Sequence, residues 1–213
     1  MKFTCEKYLL SLAVATAGRA AAAKSPIPSL EGLLIDAGHN VRITGYDLKK
    51  GIHTTFEAEV SKVGSVVVSA KLFGDIIRRL PEGPVTVVVD ENYNVSIRSG
   101  YASFTISAEG ADDYPELPTI NDGAAVTVGQ AVLKSMIRQT IFAVADSNAK
   151  PIHQGSLFKI SNGTLDLVSV DGYRLALRRE AIQFTGDLEF VVPGKTLSEI
   201  LKLLRDDDSD VEI

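Results

Sequence analysis

The chain has 213 residues, 45% of them hydrophobic and 23% charged, with a mean hydropathy of +0.12; this is the profile of a globular protein and excludes disordered, collagen-like and coiled-coil chains. Against 27 Asp and Glu stand 22 Lys and Arg, a net charge of −5, so nucleic-acid contact over the whole surface is excluded and any such contact must be local. One cysteine, Cys5, cannot close an internal disulfide, and with only 3 histidines there is no Cys-rich zinc site, so a reducing, cytoplasmic setting is expected.

The apolar run Tyr8 to Gly18 and the block Ala20 to Ala23 imitate a secretory signal. Glu6 and Lys7 abut that run, and a segment of the same pattern recurs in mid-chain, so an amphipathic helix is expected instead. No stretch reaches the roughly 18–20 uninterrupted apolar residues of a membrane span. In chain order the pattern predicts a strand over Lys2 to Cys5 and a helix carrying Leu9, Leu10, Ala13, Val14 and Ala17. After a Pro-marked loop come strands Gly32 to Ile35 and Val41 to Thr44, then a helix with Leu72, Phe73, Ile76, Ile77 and Leu80 that Pro81 ends. Strands follow over Val85 to Asp90, Val95 to Ser99 and Tyr101 to Ser107, and a polar linker is expected over Thr119 to Ala124. Beyond it the order repeats: strand Ala125 to Val128, a helix with Val132, Leu133, Met136, Ile137 and Thr140, and strands Gly155 to Ile160 and Thr164 to Val170. Asn162-Gly163 between those two strands is a strong hairpin signal. A last helix carries Leu197, Ile200, Leu201 and Leu204.

An internal repeat underlies this order. Val67 to Leu80 aligns with Val191 to Leu204, matching Lys71 with Lys195, Asp75 with Glu199 and Arg78 with Lys202; the offset of 124 also takes Asp47 to Asp171. Ser25-Pro26-Ile27 aligns with Lys150-Pro151-Ile152. Two domains of one fold follow, 1–120 and 125–213. The second stops at Ile213, the counterpart of Val89, so it is expected to be incomplete and the chain cut short.

Catalytic motifs are missing: there is no G-x-S-x-G, phosphate-binding loop or H-E-x-x-H, and His39, His53 and His153 are scattered. No metal or cofactor is expected. Asp47 and Asp171 could in principle share a proton in a duplicated small-molecule enzyme with its site between the repeats. The favoured expectation is that each accepts backbone N–H groups at a strand end. The basic residues say more. Lys71 and Arg78 lie on one helix face, opposite Leu72, Ile76 and Leu80, and Lys195 and Lys202 repeat the arrangement. Lys134 and Arg138 are spaced i, i+4, while Lys24 and Lys150 precede the Pro-Ile pairs. Recurrence of cationic faces in an acidic chain points to a localised phosphate-facing surface.

Met1-Lys-Phe-Thr4, Asp47-Leu48, the segment Asp112-Asp-Tyr-Pro-Glu-Leu-Pro118 and the run Thr164 to Ala176 with its Asp-Gly-Tyr-Arg-Leu-Ala together resemble the bacterial sliding clamps, the beta subunits of DNA polymerase III. The resemblance spans the chain. It implies an α+β DNA-clamp fold of three similar domains, each with two helices on small antiparallel sheets, the third absent from this chain. It further implies a processivity factor with no catalytic role, a head-to-tail homodimer closed into a ring around double-stranded DNA. Its partners would be the DNA polymerase III catalytic subunit and the clamp loader, with no membrane and no cofactor. On this resemblance Lys24, Lys71, Arg78, Lys134, Arg138, Lys150, Lys195 and Lys202 face DNA. Val170, Gly172, Tyr173, Arg174 and Leu175, with His153 nearby, form one wall of a groove for partner peptides whose other wall is the third domain.

Overall fold

A computed structural model of the chain describes residues 1–118, 123, 125–146 and 150–213. Apart from Gly123, the linker expected over Thr119 to Ala124 lies outside the described residues. The chain divides into two compact units, Met1–Thr119 and Ile120–Ile213.

In unit 1 the elements are β1 (Lys2–Glu6), α1 (Lys7–Ala17), β2 (Gly32–Ala37), β3 (Val41–Tyr46), β4 (Gly51–Phe56), β5 (Glu59–Lys62), β6 (Gly64–Ser69), α2 (Ala70–Arg79), β7 (Pro84–Val89), β8 (Asn94–Ser99) and β9 (Ala102–Ser107). They form two antiparallel sheets, ordered β5-β1-β7-β8-β9 and β4-β3-β2-β6. One core joins both sheets to both helices: Phe3 from β1, Leu10 and Ala17 from α1, Leu33 and Ile35 from β2, Val66 and Val68 from β6, Phe73 and Ile77 from α2, and Val85, Val87, Val95 and Ile97. The closeness of helix and sheet is fixed at Gly45 on β3, where a Cβ would lie 2.1 Å from the carbonyl oxygen of Ala17. Ser69 starts α2 by accepting the N–H of Leu72, and the helix stops just before Pro81. Its apolar stripe is Phe73, Ile76, Ile77 and Leu80, all buried. Leu72, expected in that stripe, is exposed, because it lies in the first turn on the side away from the sheet.

Unit 2 contains β10 (Thr127–Gly129), α3 (Gln130–Thr140), β11 (Gly155–Ser161), β12 (Thr164–Val170), β13 (Leu175–Ala181), β14 (Leu188–Pro193), α4 (Gly194–Leu203) and β15 (Asp210–Glu212). A sheet ordered β13-β12-β11-β14 and a pair β10-β15 share a core of Val126, Leu133, Met136, Ile137, Phe158, Ile160, Leu165, Leu167 and Leu197. Asn162 (φ 52°) and Gly163 (φ 74°) turn β11 into β12 with both residues left-handed, as a type I′ hairpin requires. The cross-strand pair Asp166 and Arg179 ties β13 on through two bonds of 2.6 Å.

The elements of unit 2 recur in the order of β1, α1, β2, β3, β4, β6, α2 and β7, which corrects one alignment. Short 3-10 turns occupy Pro28–Glu31 and Pro151–Gln154, each leading into the glycine that opens a strand. Pro151 is therefore the counterpart of Pro28 and not of Pro26, and Lys150 corresponds to Ile27. Lys24 and Lys150 are not at equivalent positions.

Candidate DNA-facing and peptide-binding surfaces

Lys71 and Arg78 stand exposed along α2. With Asp75, Ile77 and, from α1 and the residue that caps it, Ser11, Ala15 and Gly18, they line a crevice of about 270 Å³ between the two helices. Arg78 donates to Asp75 at 2.6 Å, but its side chain stays largely in solvent, where such a pair is weak and leaves the cation accessible to a competing anion. Lys195 and Lys202 are likewise exposed on α4, with Lys202 2.7 Å from Glu199. Arg138 on α3 is exposed. Lys134 differs. Its Nζ pairs with Asp206 at 2.6 Å and its side chain is mostly covered, so it bridges α3 to the loop after α4. Lys24 and Lys150 are exposed in the segments before the 3-10 turns.

The two repeat-related carboxylates are turn caps. Asp47 Oδ1 accepts the N–H groups of Lys49 and Lys50 at 3.0 and 2.8 Å, and Oδ2 accepts Lys50 Nζ at 2.7 Å. Asp171 repeats this with the N–H groups of Tyr173 and Arg174 at 3.0 and 2.9 Å and Arg174 Nε at 2.8 Å. The backbone turns left-handed at Leu48 in the first copy and at Gly172 in the second. Burial acts to raise the Asp47 carboxyl, and the bonds from Lys50 and Lys49 outweigh it, leaving it below the usual carboxylate range. The N–H groups of Arg174 and Tyr173, with the Arg174 side chain, hold Asp171 down to about 2. Two carboxylates each saturated by its own turn are structural caps and lack the shared proton of an acid–base dyad.

On unit 2 the sheet face turned away from the core is apolar and open. Ile152, His153, Gly155, Leu157, Val168, Val170 and Val191, with Glu189, line a pocket of about 310 Å³, and Phe190, whose ring stacks on Phe158 at 5.2 Å, borders it from the other phase of β14. β11, β12 and β14 bring them together: Leu157 pairs with Val168 on one side and with Val191 on the other, while the alternate residues Phe158 and Leu167 point into the core. Beyond the pocket rim Tyr173 is 100% exposed and Leu175 is exposed as well. Arg174 lies over the Phe142 ring, 5.8 Å from its centroid. Contiguous exposed apolar area of this kind is uncommon on the surface of a folded domain.

The sequence matches two successive family models, the DNA polymerase III beta subunit N-terminal domain over residues 1–118 and its central domain over residues 127–213. The chain belongs to the DNA polymerase III beta subunit family. The beta sliding clamp of Bacillus subtilis (strain 168) is 35% identical over the whole chain, and that of Halalkalibacterium halodurans is 32% identical. Among solved structures, the DNA polymerase sliding clamp of Bacillus subtilis superposes with a TM-score of 0.97 at 34% identity, and the DNA polymerase III subunit beta of Pseudomonas aeruginosa with 0.94 at 26%. Each comparison covers all of this chain and 59% of the solved one, and the chain spans about three-fifths of the length of the curated relatives it matches. The expected α+β clamp fold is therefore the observed one.

Of the peptide-groove residues expected from the sequence, His153 and Val170 line the pocket, while Gly172, Tyr173, Arg174 and Leu175 lie outside its lining. The pocket also takes in Ile152, Leu157, Val168 and Val191, which sequence reasoning did not name. The signal was present as apolar residues at both phases of β11 and β12, which read as a strand buried on both faces.

Proposed function

We propose that this chain is the first domain and most of the second domain of a sliding clamp, a non-catalytic processivity factor that encircles duplex DNA and tethers a DNA polymerase. The likeness to sliding clamps over its entire length, at a TM-score of 0.97, carries the reading. On it, a third domain and a second copy of the polypeptide complete the ring, assembled by a clamp loader in the cytoplasm. Lys71, Arg78, Arg138, Lys195 and Lys202 meet phosphates loosely, Lys24 and Lys150 approach from loops, and Lys134 contributes less because Asp206 neutralises it. Phosphate contacts of this kind hold without reading sequence and permit sliding. The net charge of −5 keeps the outside from binding DNA indiscriminately.

The unit 2 pocket fits the role of a docking groove for extended peptides from polymerase and loader, anchored by a few buried apolar side chains. A topological grip has a direct test. The polypeptide carrying its third domain, loaded by a clamp loader onto closed circular duplex, stays with it through gel filtration and is released when the circle is linearised. Retention on linear DNA with free ends contradicts the reading.

A further inference from the structure

The face of unit 1 equivalent to the open pocket of unit 2 is filled by the chain itself. Leu30, Leu34, Thr44, Tyr46 and Val67 are the counterparts of His153, Leu157, Val168, Val170 and Val191, at offsets of 123 or 124 residues. In unit 1 these positions surround Tyr114 and Leu117, which pack with Leu30, Tyr46 and Val67 into a separate apolar cluster on the side of the sheet away from the main core. The segment that delivers them first pairs with the free edge of β6, Glu109 and Val67 exchanging two backbone bonds of 2.9 Å. It then crosses the sheet. Ser29 Oγ donates to the carbonyl of Asp113 at 3.1 Å, and the Tyr114 hydroxyl donates to the carbonyl of Thr44 at 3.3 Å. Leu117 lies so close over Gly51 that a Cβ there would be 2.6 Å from its Cδ2. This is how a bound peptide sits on a sheet: an edge pairing, an aromatic anchor, and an aliphatic anchor three residues later.

We infer that residues 112–118 are a tethered occupant of a latent peptide groove that unit 1 shares by duplication with unit 2. When the tether is disabled, unit 1 takes an extended peptide carrying an aromatic side chain followed three residues on by an aliphatic one. Held in place by its own backbone, the segment has an effective concentration in the millimolar range, which keeps free peptides out of unit 1 and leaves peptide traffic to unit 2. The inference rests on the proposed reading of the unit 2 pocket as a peptide groove, but binding to unit 1 can fail while that reading stands.

The probe is a fluorescein-labelled peptide of residues 108–118, added to the wild-type chain and to the Tyr114→Ala/Leu117→Ala variant. The variant is expected to bind it at least about tenfold more tightly than wild type, since the tethered competitor is gone. The same peptide with its tyrosine replaced by alanine gains nothing. Hydrogen exchange with the peptide bound protects β3 and the strand edge at Val67. A cooperatively folded variant that binds no better than wild type overturns the inference, as does a gain whose protection falls on β11, β12 and β14. If the double variant does not fold, Leu117→Ala alone, which keeps Tyr114 seated, is expected to show a smaller gain, and no gain there overturns the inference equally.

Discussion

Val67 and Val191 stand at equivalent places on equivalent strands, yet the first is 3% exposed and the second 39%. On the side of the neighbouring strand their settings match: each lies opposite a leucine, Leu34 or Leu157, and each belongs to the strand that runs into the second helix of its unit. What differs is the cover. Tyr114 and Leu117 close the first face, and no described residue closes the second. Duplication has preserved an apolar sheet face in both units, although only one needs it for internal packing. The exposed apolar face of unit 2 is thus the same surface that unit 1 buries, left without a cover among the described residues.

The comparison breaks most readily at Tyr114. Truncating a buried aromatic to alanine costs about 3 kcal/mol through lost contacts and the cavity left behind. Tyr114→Ala is therefore expected to lower the urea stability of unit 1 by that amount, while Tyr173→Ala, on a fully exposed side chain, stays within about 0.5 kcal/mol. Equal effects would erase the distinction between the faces. A finer change is Tyr114→Phe, which keeps the ring and removes the hydroxyl that donates to the Thr44 carbonyl. Losing that bond is worth about 1 kcal/mol, read from the same unfolding curves.

Alkali gives a third test. Burial pushes the Tyr114 phenol from its ordinary 10 up to about 12. A group whose folded value is raised contributes its full stability below the unfolded value and loses it as pH climbs through the folded one. The cover over unit 1 should accordingly weaken between pH 10 and 12, with a stability slope that Tyr114→Phe removes. The smallest effect is at the opposite end of the pH scale, in unit 2. Asp171, depressed from 3.8 to about 2 by the turn that follows it, supports that turn above pH 4 or so and releases it as pH falls toward 2. A carboxyl titration followed by NMR should find its midpoint well below that of an ordinary aspartate, and an ordinary midpoint would mean the turn is not capped.

Much of this fold was legible in the sequence, for identifiable reasons. Phe73, Ile76, Ile77 and Leu80 recur at helical spacing and return 124 residues later as Leu197, Ile200, Leu201 and Leu204, so the helices and their buried faces could be read directly. Asn162-Gly163 gave its hairpin because few other residue pairs tolerate two left-handed conformations in succession. Strands β4, β5, β6, β13, β14 and β15 were not expected: all lie at sheet edges. Positions such as Thr54, Glu59 and Arg179 carry little apolar signal, and the Val-Val pairs of β6 and β14 were read only as the approach to the helix that follows.

The surfaces were harder to read than the fold. Cations at helix positions could be named, but only coordinates reveal that Asp206, 72 residues away, occupies Lys134. The groove was half visible, since Leu157, Val168 and Val191 look like core residues in any strand whose two faces are both apolar. Tyr114-Pro115-Glu116-Leu117 read as a closing segment, and its role as an occupant depends on contacts with Thr44, about 70 residues earlier in the chain, which no local pattern encodes.

The central claim, one sheet face closed and its duplicate open, is tested most directly by thiol labelling of Val67→Cys and Val191→Cys. Cys5 is the internal blank, because it is buried and its thiol is pushed up to about 12. Under native conditions Val191→Cys is expected to react at nearly the rate of a free thiol, and Val67→Cys at least about a hundredfold more slowly, limited by local opening of the segment above it. Adding Tyr114→Ala should bring the two rates together. Equal rates in the otherwise unaltered chain would contradict the account.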